Sequence, residues 1–123
     1  MSKVIPTNHF KKQYKKVKKD SRWLPIFKGT VPFDDKRRSP WEYIIECFLE
    51  DKEIPKCFYE HPITLIKLQK QEIKRRLGTS IDIQIRGLDL HLDGHNGDHL
   101  LLYIKTNKGV LYLTGIGTHS ELF

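Results

Sequence analysis

The spacing of apolar residues changes once along this chain, and this change limits the folds that are open to it. Up to about residue 77 the apolar side chains recur every three or four positions, the spacing of amphipathic helices. From Ile81 onward apolar and polar residues alternate, the pattern of half-buried strands. Helices followed by a run of strands predict an α+β domain, in which N-terminal helices pack on a C-terminal antiparallel sheet. The 123 residues suit a single domain spanning 1–123.

Two helix starts carry clear capping signals. After a short strand candidate from Lys3 to Ile5, Thr7 or Asn8 can cap a helix to about residue 20, whose apolar stripe is narrow. Ser39-Pro40-Trp41-Glu42 combines a capping serine, a proline in the first turn and a glutamate that can bond back to the cap, which predicts a helix to about residue 51. A packed connector is expected over 21–38, and a third helix over 64–77.

The strand region has three notable features. After Gly87 the alternation changes parity, which predicts a bulge or sharp bend at that glycine. Beyond it Asp89, His91 and Asp93 share the face opposite three leucines. The run 99–105 is apolar on both sides, which is typical of a central strand, and a turn at 107–109 leads into a last strand from Val110.

Charge points to a polyanionic partner. The chain has 22 lysines and arginines against 15 acidic residues, giving a net charge of +7. Such an excess favours nucleic acid or an acidic protein, although a solvated lysine face is an equally good interpretation of the first helix. Cys47 and Cys57, with no paired-cysteine motif, no signal peptide and no long apolar stretch, indicate free buried thiols in a cytoplasmic protein without a membrane association.

Histidine is concentrated near the C-terminus. Four of the six histidines, His91, His95, His99 and His119, fall in the strand region. An imidazole with an ordinary pKa of about 6.5 can take or give a proton near neutrality, so histidines beside acidic residues form a candidate acid–base site. The spacing of four between the first three would align metal ligands on a helix, but the glycines between them argue against a helix, and no metal site or cofactor is predicted.

Several short motifs follow one another in a characteristic order. They are His61-Pro62, the D-x-H of Asp89-Leu90-His91, a strand beginning at Asp98 with the pattern D-x-L-L-L-Y, and the C-terminal G-T-H-S-E-L-F. Together they resemble the RelE superfamily of bacterial toxins, and in particular its YafQ-like branch. The resemblance implies a toxin of a type II toxin–antitoxin system, a ribosome-dependent endoribonuclease that cleaves mRNA without a metal. It also implies inhibition by a cognate antitoxin, which we expect to be acidic, and a helical insertion at about 64–79.

The resemblance also implies site residues. The catalytic positions are His61, Asp89, His91, Asp98, His119 and Phe123. His119 and His91 are expected to act as acid and base, Asp98 to orient a histidine, and Phe123 either to stack near a base or to pack against the sheet. RNA or ribosome binding is expected from Lys11, Lys12, Lys15, Lys16, Lys18, Lys19, Arg75, Arg76 and Arg86.

Two points stay open at the level of sequence. The loop before Asp98 is longer than is usual in the branch, so His95 is an alternative to His91, and Leu88 and His99 stand where an arginine and a tryptophan are usual. The alternative function is a basic RNA- or protein-binding module without catalysis.

Overall fold

The computed structural model of the chain describes residues 3–63, 75 and 85–123, and in these ranges it shows helices packed on a five-stranded sheet. In chain order the elements are β1 (Lys3–Pro6), α1 (Asn8–Lys18), α2 (Leu24–Lys28), α3 (Pro40–Leu49), β2 (His61–Pro62), β3 (Ile85–His91), β4 (Leu100–Thr106), β5 (Val110–Gly117) and α4 (His119–Leu122). Short 3-10 turns occupy Ser21–Trp23 and Lys56–Phe58.

The sheet has the order β1-β5-β4-β3-β2. Strands β3, β4 and β5 form the predicted antiparallel meander, and β2 pairs antiparallel with β3. The short N-terminal strand β1 pairs parallel with β5, which makes the sheet mixed. The α+β class is confirmed, as is the central place of β4, whose residues 100–104 are buried whichever face they lie on.

The capping signals define the helix starts. The Thr7 hydroxyl accepts the Phe10 N–H at 3.2 Å and donates to the Leu113 carbonyl at 3.0 Å, so Thr7 rather than Asn8 caps α1 and ties it to β5. The Ser39 hydroxyl accepts the Glu42 N–H at 3.2 Å. Both arrangements satisfy backbone donors that a helix start would otherwise leave without partners.

The helices cover one face of the sheet. Phe10 and Val17 of α1, Ile44 and Phe48 of α3, and Trp23 of the connector are buried against even-numbered residues of β3 and their partners in β4 and β5. The opposite face carries a smaller cluster around Ile104 and Tyr112, with Ile5, Ile85 and Val110 packed beside it. The odd-numbered residues of β3, including Asp89 and His91, belong to this second face.

Two expectations are corrected. The predicted bulge at Gly87 is wrong, because β3 pairs with β4 in unbroken register from Ile85 to His91. The parity change in the sequence arises because both faces are apolar: Ile85 packs in the second cluster, whereas Leu88 belongs to the helix side. Cys57 is exposed rather than buried, since in its short turn Phe58 takes the inward position; Cys47 is buried, and both thiols are free.

Some predictions fall on residues outside the described ranges. The third helix and the helical insertion at 64–79 lie there, except that Arg75 is helical and exposed. Within residues 3–63, 75 and 85–123, no helix is long and apolar enough to cross a membrane.

Candidate active site

The candidate site lies at one end of the sheet, where several strands begin or end together. His91, the last residue of β3, stands opposite Leu100, the first residue of β4, and Leu100 stands opposite Gly117, the last residue of β5. The loop 92–99 and the C-terminal tail therefore leave the sheet at the same edge. Strand β2 adds His61, which pairs with Asp89 in the register of β2 and β3.

Three of the predicted residues form a compact group, the His–Asp–His cluster of His61, Asp89 and His91. Cross-strand partners share a face, as do residues two apart on one strand, so all three side chains lie on the face away from the helices. Asp89 Oδ1 is 3.1 Å from His61 Nε2 and 3.9 Å from His91 Nε2. The Asp89 side chain is only 3% exposed, against 33% for His61 and 14% for His91.

Backbone carbonyls fix the tautomers of both histidines. His61 Nδ1 lies 2.8 Å from the carbonyl oxygen of Tyr59, and His91 Nδ1 lies 3.0 Å from that of Gly97. Because a carbonyl oxygen only accepts, each Nδ1 carries the hydrogen and donates it. In the neutral rings, both Nε2 atoms then present lone pairs to the carboxylate of Asp89.

The backbone at Tyr59 helps to place one of these carbonyls. Tyr59 has φ of 52°, in the left-handed region that non-glycine residues rarely adopt, and its N–H closes the 3-10 turn on Lys56. Two residues later the chain enters β2, so the left-handed residue aims its carbonyl at the ring of His61. Backbone strain of this kind is commonly found at functional sites.

The electrostatics of the cluster are unfavourable without an added positive charge. Asp89 Oδ1 is buried and has no hydrogen-bond partner among the described residues. Burial raises the pKa of Asp89, and positive charge on His61, His91 and His119 acts in the opposite direction. Three acceptor atoms that converge in this way favour binding of a proton or another cation between them, so the cluster can hold and release a proton.

The C-terminal tail is held beside the loop by polar contacts. Asp98 Oδ1 accepts the backbone N–H of His119 at 2.7 Å, so this carboxylate anchors the start of α4 rather than the imidazole ring. Thr118 and Glu121 form a capping box around the same turn. The Phe123 ring lies 5.0 Å from that of His119 and is 61% exposed, so Phe123 does not pack in the core.

The two remaining histidines of the loop have other contacts. The ring of His95 is exposed and meets the edge of Tyr59 at 4.2 Å, while His99 pairs with Asp93 and packs edge-on against buried Trp23 at 4.4 Å. His91, and not His95, is therefore the histidine beside Asp89. The four-residue spacing gives no ligand set, whereas His61, Asp89 and His91 offer ligand atoms within 4.8 Å of one another, the one such group in the described part of the chain.

The predicted cationic residues lie on exposed surfaces, and one of them contacts the tail. The lysine face, made up of Lys11, Lys12, Lys15, Lys16, Lys18 and Lys19, is exposed throughout, as are Arg75 and Arg86, and Arg76 lies outside the described residues. Lys16 Nζ lies 3.7 Å from Glu121 of α4. The lysine face therefore borders the tail that carries His119.

Sequence reasoning missed Arg22 and Tyr59. Arg22 bonds Asp20 through Nη2 at 2.6 Å, and this hydrogen bond, with smaller contributions from the charges of Glu121 and Asp98, raises its pKa. It is thus a cation near the tail, but it lies in an irregular connector where no pattern marks it. Tyr59 is 43% exposed and contacts the rings of three histidines. The one sequence signal near it is the His61-Pro62 motif two residues later.

Comparison with known proteins finds similarity among solved structures. No protein-family model and no curated protein matches the sequence. Among solved structures, a metal-bound toxin from Helicobacter pylori is 21% identical over the whole of both chains with a TM-score of 0.60, and a copper-bound mutant toxin from the same organism is 20% identical with the same coverage and score. YafQ from E. coli, in its complex with DinJ, is 18% identical over all of this chain and 99% of its own, with a TM-score of 0.58.

These similarities extend from end to end of the chain. At such identities they establish the fold alone, and the fold is that of these H. pylori toxins and of YafQ. The fold that the resemblance of the ordered motifs implies is therefore confirmed by the three-dimensional structure.

Proposed function

We propose that this protein is the toxin of a type II toxin–antitoxin pair, and that it cleaves mRNA on the ribosome by histidine acid–base catalysis without a metal. The observation that carries the proposal is the His–Asp–His cluster at the edge of the sheet, next to a tail that ends in His119 and an exposed phenylalanine. The toxin fold supports the same conclusion independently of the side chains.

The reaction would use the ribose 2′-hydroxyl as nucleophile. A base removes the 2′ proton, the oxygen attacks the adjacent phosphorus, and an acid protonates the departing 5′ oxygen. The products are a 2′,3′-cyclic phosphate and a 5′-hydroxyl. The protein has to supply two proton-transfer groups and positive charge near the phosphate, and each transfer group typically contributes a factor of about 10²–10⁴ in rate.

His91 and His119 are the proposed proton-transfer pair. His91 presents Nε2 beside the buried carboxylate of Asp89, which stabilises the imidazolium that forms when the ring takes a proton. His119 is exposed on the tail, where Asp98 holds its backbone in place. His61 shares the carboxylate with His91, and the exposed ring of Phe123 offers a surface on which a base can stack.

The charge distribution supports RNA and an acidic protein as alternative occupants of one surface. The exposed lysine face borders the tail through Lys16 and Glu121, so a bound polyanion would cover both the lysines and His119. A phosphate backbone fits this surface during catalysis. An acidic antitoxin that covers it would block RNA, and we propose such an antitoxin as the partner in the cytoplasm.

The direct test is cleavage of a defined mRNA on purified ribosomes. We expect the parent protein to cut within the decoding site, and His119→Ala and His91→Ala to be at least about 100-fold slower because each loses a proton-transfer group. His9→Ala is the matched control, since His9 is an exposed histidine of α1 outside the site, and it should cut like the parent.

A different outcome would favour the binding module. If both variants inhibit translation as strongly as the parent while no RNA is cut, the protein acts by occupying the ribosome, and the catalytic assignment is wrong.

A further inference from the structure

We propose that His61, Asp89 and His91 form a binding site for a divalent transition-metal ion such as Zn²⁺, and that an ion bound there inhibits the toxin. The inhibitory part rests on the function proposed above, whereas binding of the ion does not. The site is defined by His61 Nε2, Asp89 Oδ1 and His91 Nε2, which lie within 4.8 Å of one another.

The two distances from the carboxylate oxygen to the imidazole nitrogens are close to those in a tetrahedral zinc site. With bonds of about 2.0–2.1 Å, two ligand atoms of a tetrahedral ion are separated by roughly 3.3–3.5 Å. The two distances to Asp89 Oδ1, 3.1 Å from His61 and 3.9 Å from His91, lie on either side of this range. The two Nε2 atoms lie within 4.8 Å of each other, and side-chain rotations that draw the two rings together around an ion would bring three ligands to bonding distance and leave the fourth position open.

The second shell is already in place. Metal-binding histidines generally donate the other ring N–H to a carbonyl or carboxylate, which fixes the ring and leaves the remaining nitrogen free to bind. Here the carbonyls of Tyr59 and Gly97 accept from the Nδ1 atoms of the two rings. The Nε2 atoms of both rings are thus the ones left to bind an ion.

The orphaned carboxylate oxygen gives independent support. Asp89 Oδ1 is buried, and no hydrogen bond reaches it from any described residue. A buried polar atom without a partner costs about 1–3 kcal/mol, and a bound cation would satisfy it. Entry is open from the side of His61, whose side chain is one-third exposed.

The donor set also selects the class of ion. Two imidazoles and one carboxylate suit Zn²⁺ and its neighbours, whereas Mg²⁺ prefers oxygen ligands and keeps its waters. The ribosome's Mg²⁺ would therefore not compete. An ion at this site occupies the lone pair through which His91 would take a proton from RNA, so it would stop the proposed reaction.

The binding test titrates the protein of residues 1–123 with Zn²⁺ alone and measures binding by isothermal titration calorimetry. A second titration with Co²⁺ measures the visible absorption that a tetrahedral site gives. We expect one ion per chain, and binding at least about 100-fold weaker in His61→Gln and His91→Gln, since even the loss of an outer-shell partner typically costs 10–100-fold. His95→Gln is the matched control, because His95 lies in the adjacent loop and contacts Tyr59 instead. Circular dichroism confirms that each variant is folded.

Unchanged zinc affinity in the two glutamine variants, or no binding to the parent, would overturn the proposed site.

The activity test compares cleavage in the presence of Zn²⁺ with cleavage in the presence of a zinc-selective chelator that leaves Mg²⁺ for the ribosome. Ribosomes without the toxin are the control. Inhibition by Zn²⁺ in the parent and in His95→Gln supports the inference. Binding without inhibition refutes the regulatory part. Cleavage that needs Zn²⁺ would instead refute the metal-free mechanism and leave the site standing.

Discussion

Replacing Asp89 by asparagine should make the protein more stable and much less active. The substitution keeps the shape of the side chain but removes the negative charge and replaces one acceptor oxygen by an N–H donor. That donor can point at the Nε2 of His61, 3.1 Å from the present Oδ1 atom. The repulsion among the three acceptor atoms is then relieved. The carboxylate that would hold a proton in the cluster is lost.

The expected rise in melting temperature follows from the burial of Asp89 Oδ1 without a hydrogen bond. This atom is buried without a hydrogen bond from the described residues, which costs about 1–3 kcal/mol. For a chain of this length, 1 kcal/mol corresponds to a shift of about 4 °C in melting temperature, so Asp89→Asn should raise it by about 4–12 °C at pH 7. Cleavage should fall by about 100-fold or more, because the imidazolium of His91 loses its counter-charge.

The assays are thermal unfolding by circular dichroism and cleavage of mRNA on ribosomes. Asp93→Asn is the matched control, because the carboxylate of Asp93 accepts the backbone N–H groups of Asp98 and His99. An amide nitrogen cannot accept, so the same substitution there should lower the melting temperature. If Asp89→Asn is less stable than the parent, or cleaves RNA equally well, the description of the cluster as an unsatisfied acid–base site is refuted.

Three other predictions concern the helix cap, the surface and the tail. Thr7→Val removes both hydrogen bonds of the cap and should lower the free energy of unfolding by about 1–3 kcal/mol in urea titrations, whereas Thr7→Ser should stay close to the parent. The hydrogen bond with Arg38 holds the pKa of Asp34 well below its usual range, so this carboxylate stabilises the fold above pH 4. Its contribution should be lost as the pH falls below about 4, so acid unfolding of the parent and of Asp34→Asn should converge there and differ near neutrality. Phe123→Ala should leave the melting temperature unchanged, because the ring is 61% exposed, but should weaken RNA binding by about 5–100-fold if a base stacks on it; equal binding would remove Phe123 from the site.

The parts of the fold that the sequence predicts are those set by local chemistry. Ser39 and Pro40 define the start of α3 because capping depends on neighbouring residues alone. The central position of β4 follows from a run that is apolar on both faces. The bulge at Gly87 was wrongly predicted because alternation in one strand cannot distinguish a bend from a sheet that is apolar on both sides.

The candidate site depends on register between distant segments. His61 meets Asp89 only because two residues of β2 pair with β3, and no spacing in the sequence encodes that pairing. The choice between His91 and His95 is likewise decided by the loop, which sends His95 to Tyr59. Motif order indicated most of these residues, but their contacts follow from the sheet.

The most direct measurement is the chemistry of the RNA ends after the purified toxin acts on ribosomes that carry a defined mRNA. If the histidines transfer protons to and from the ribose and phosphate oxygens, the upstream fragment ends in a 2′,3′-cyclic phosphate and the downstream fragment begins with a 5′-hydroxyl. Both should form at least about 100-fold more slowly with His119→Ala. Fragments with 3′-hydroxyl and 5′-phosphate ends, or intact mRNA on arrested ribosomes, would contradict the proposed mechanism.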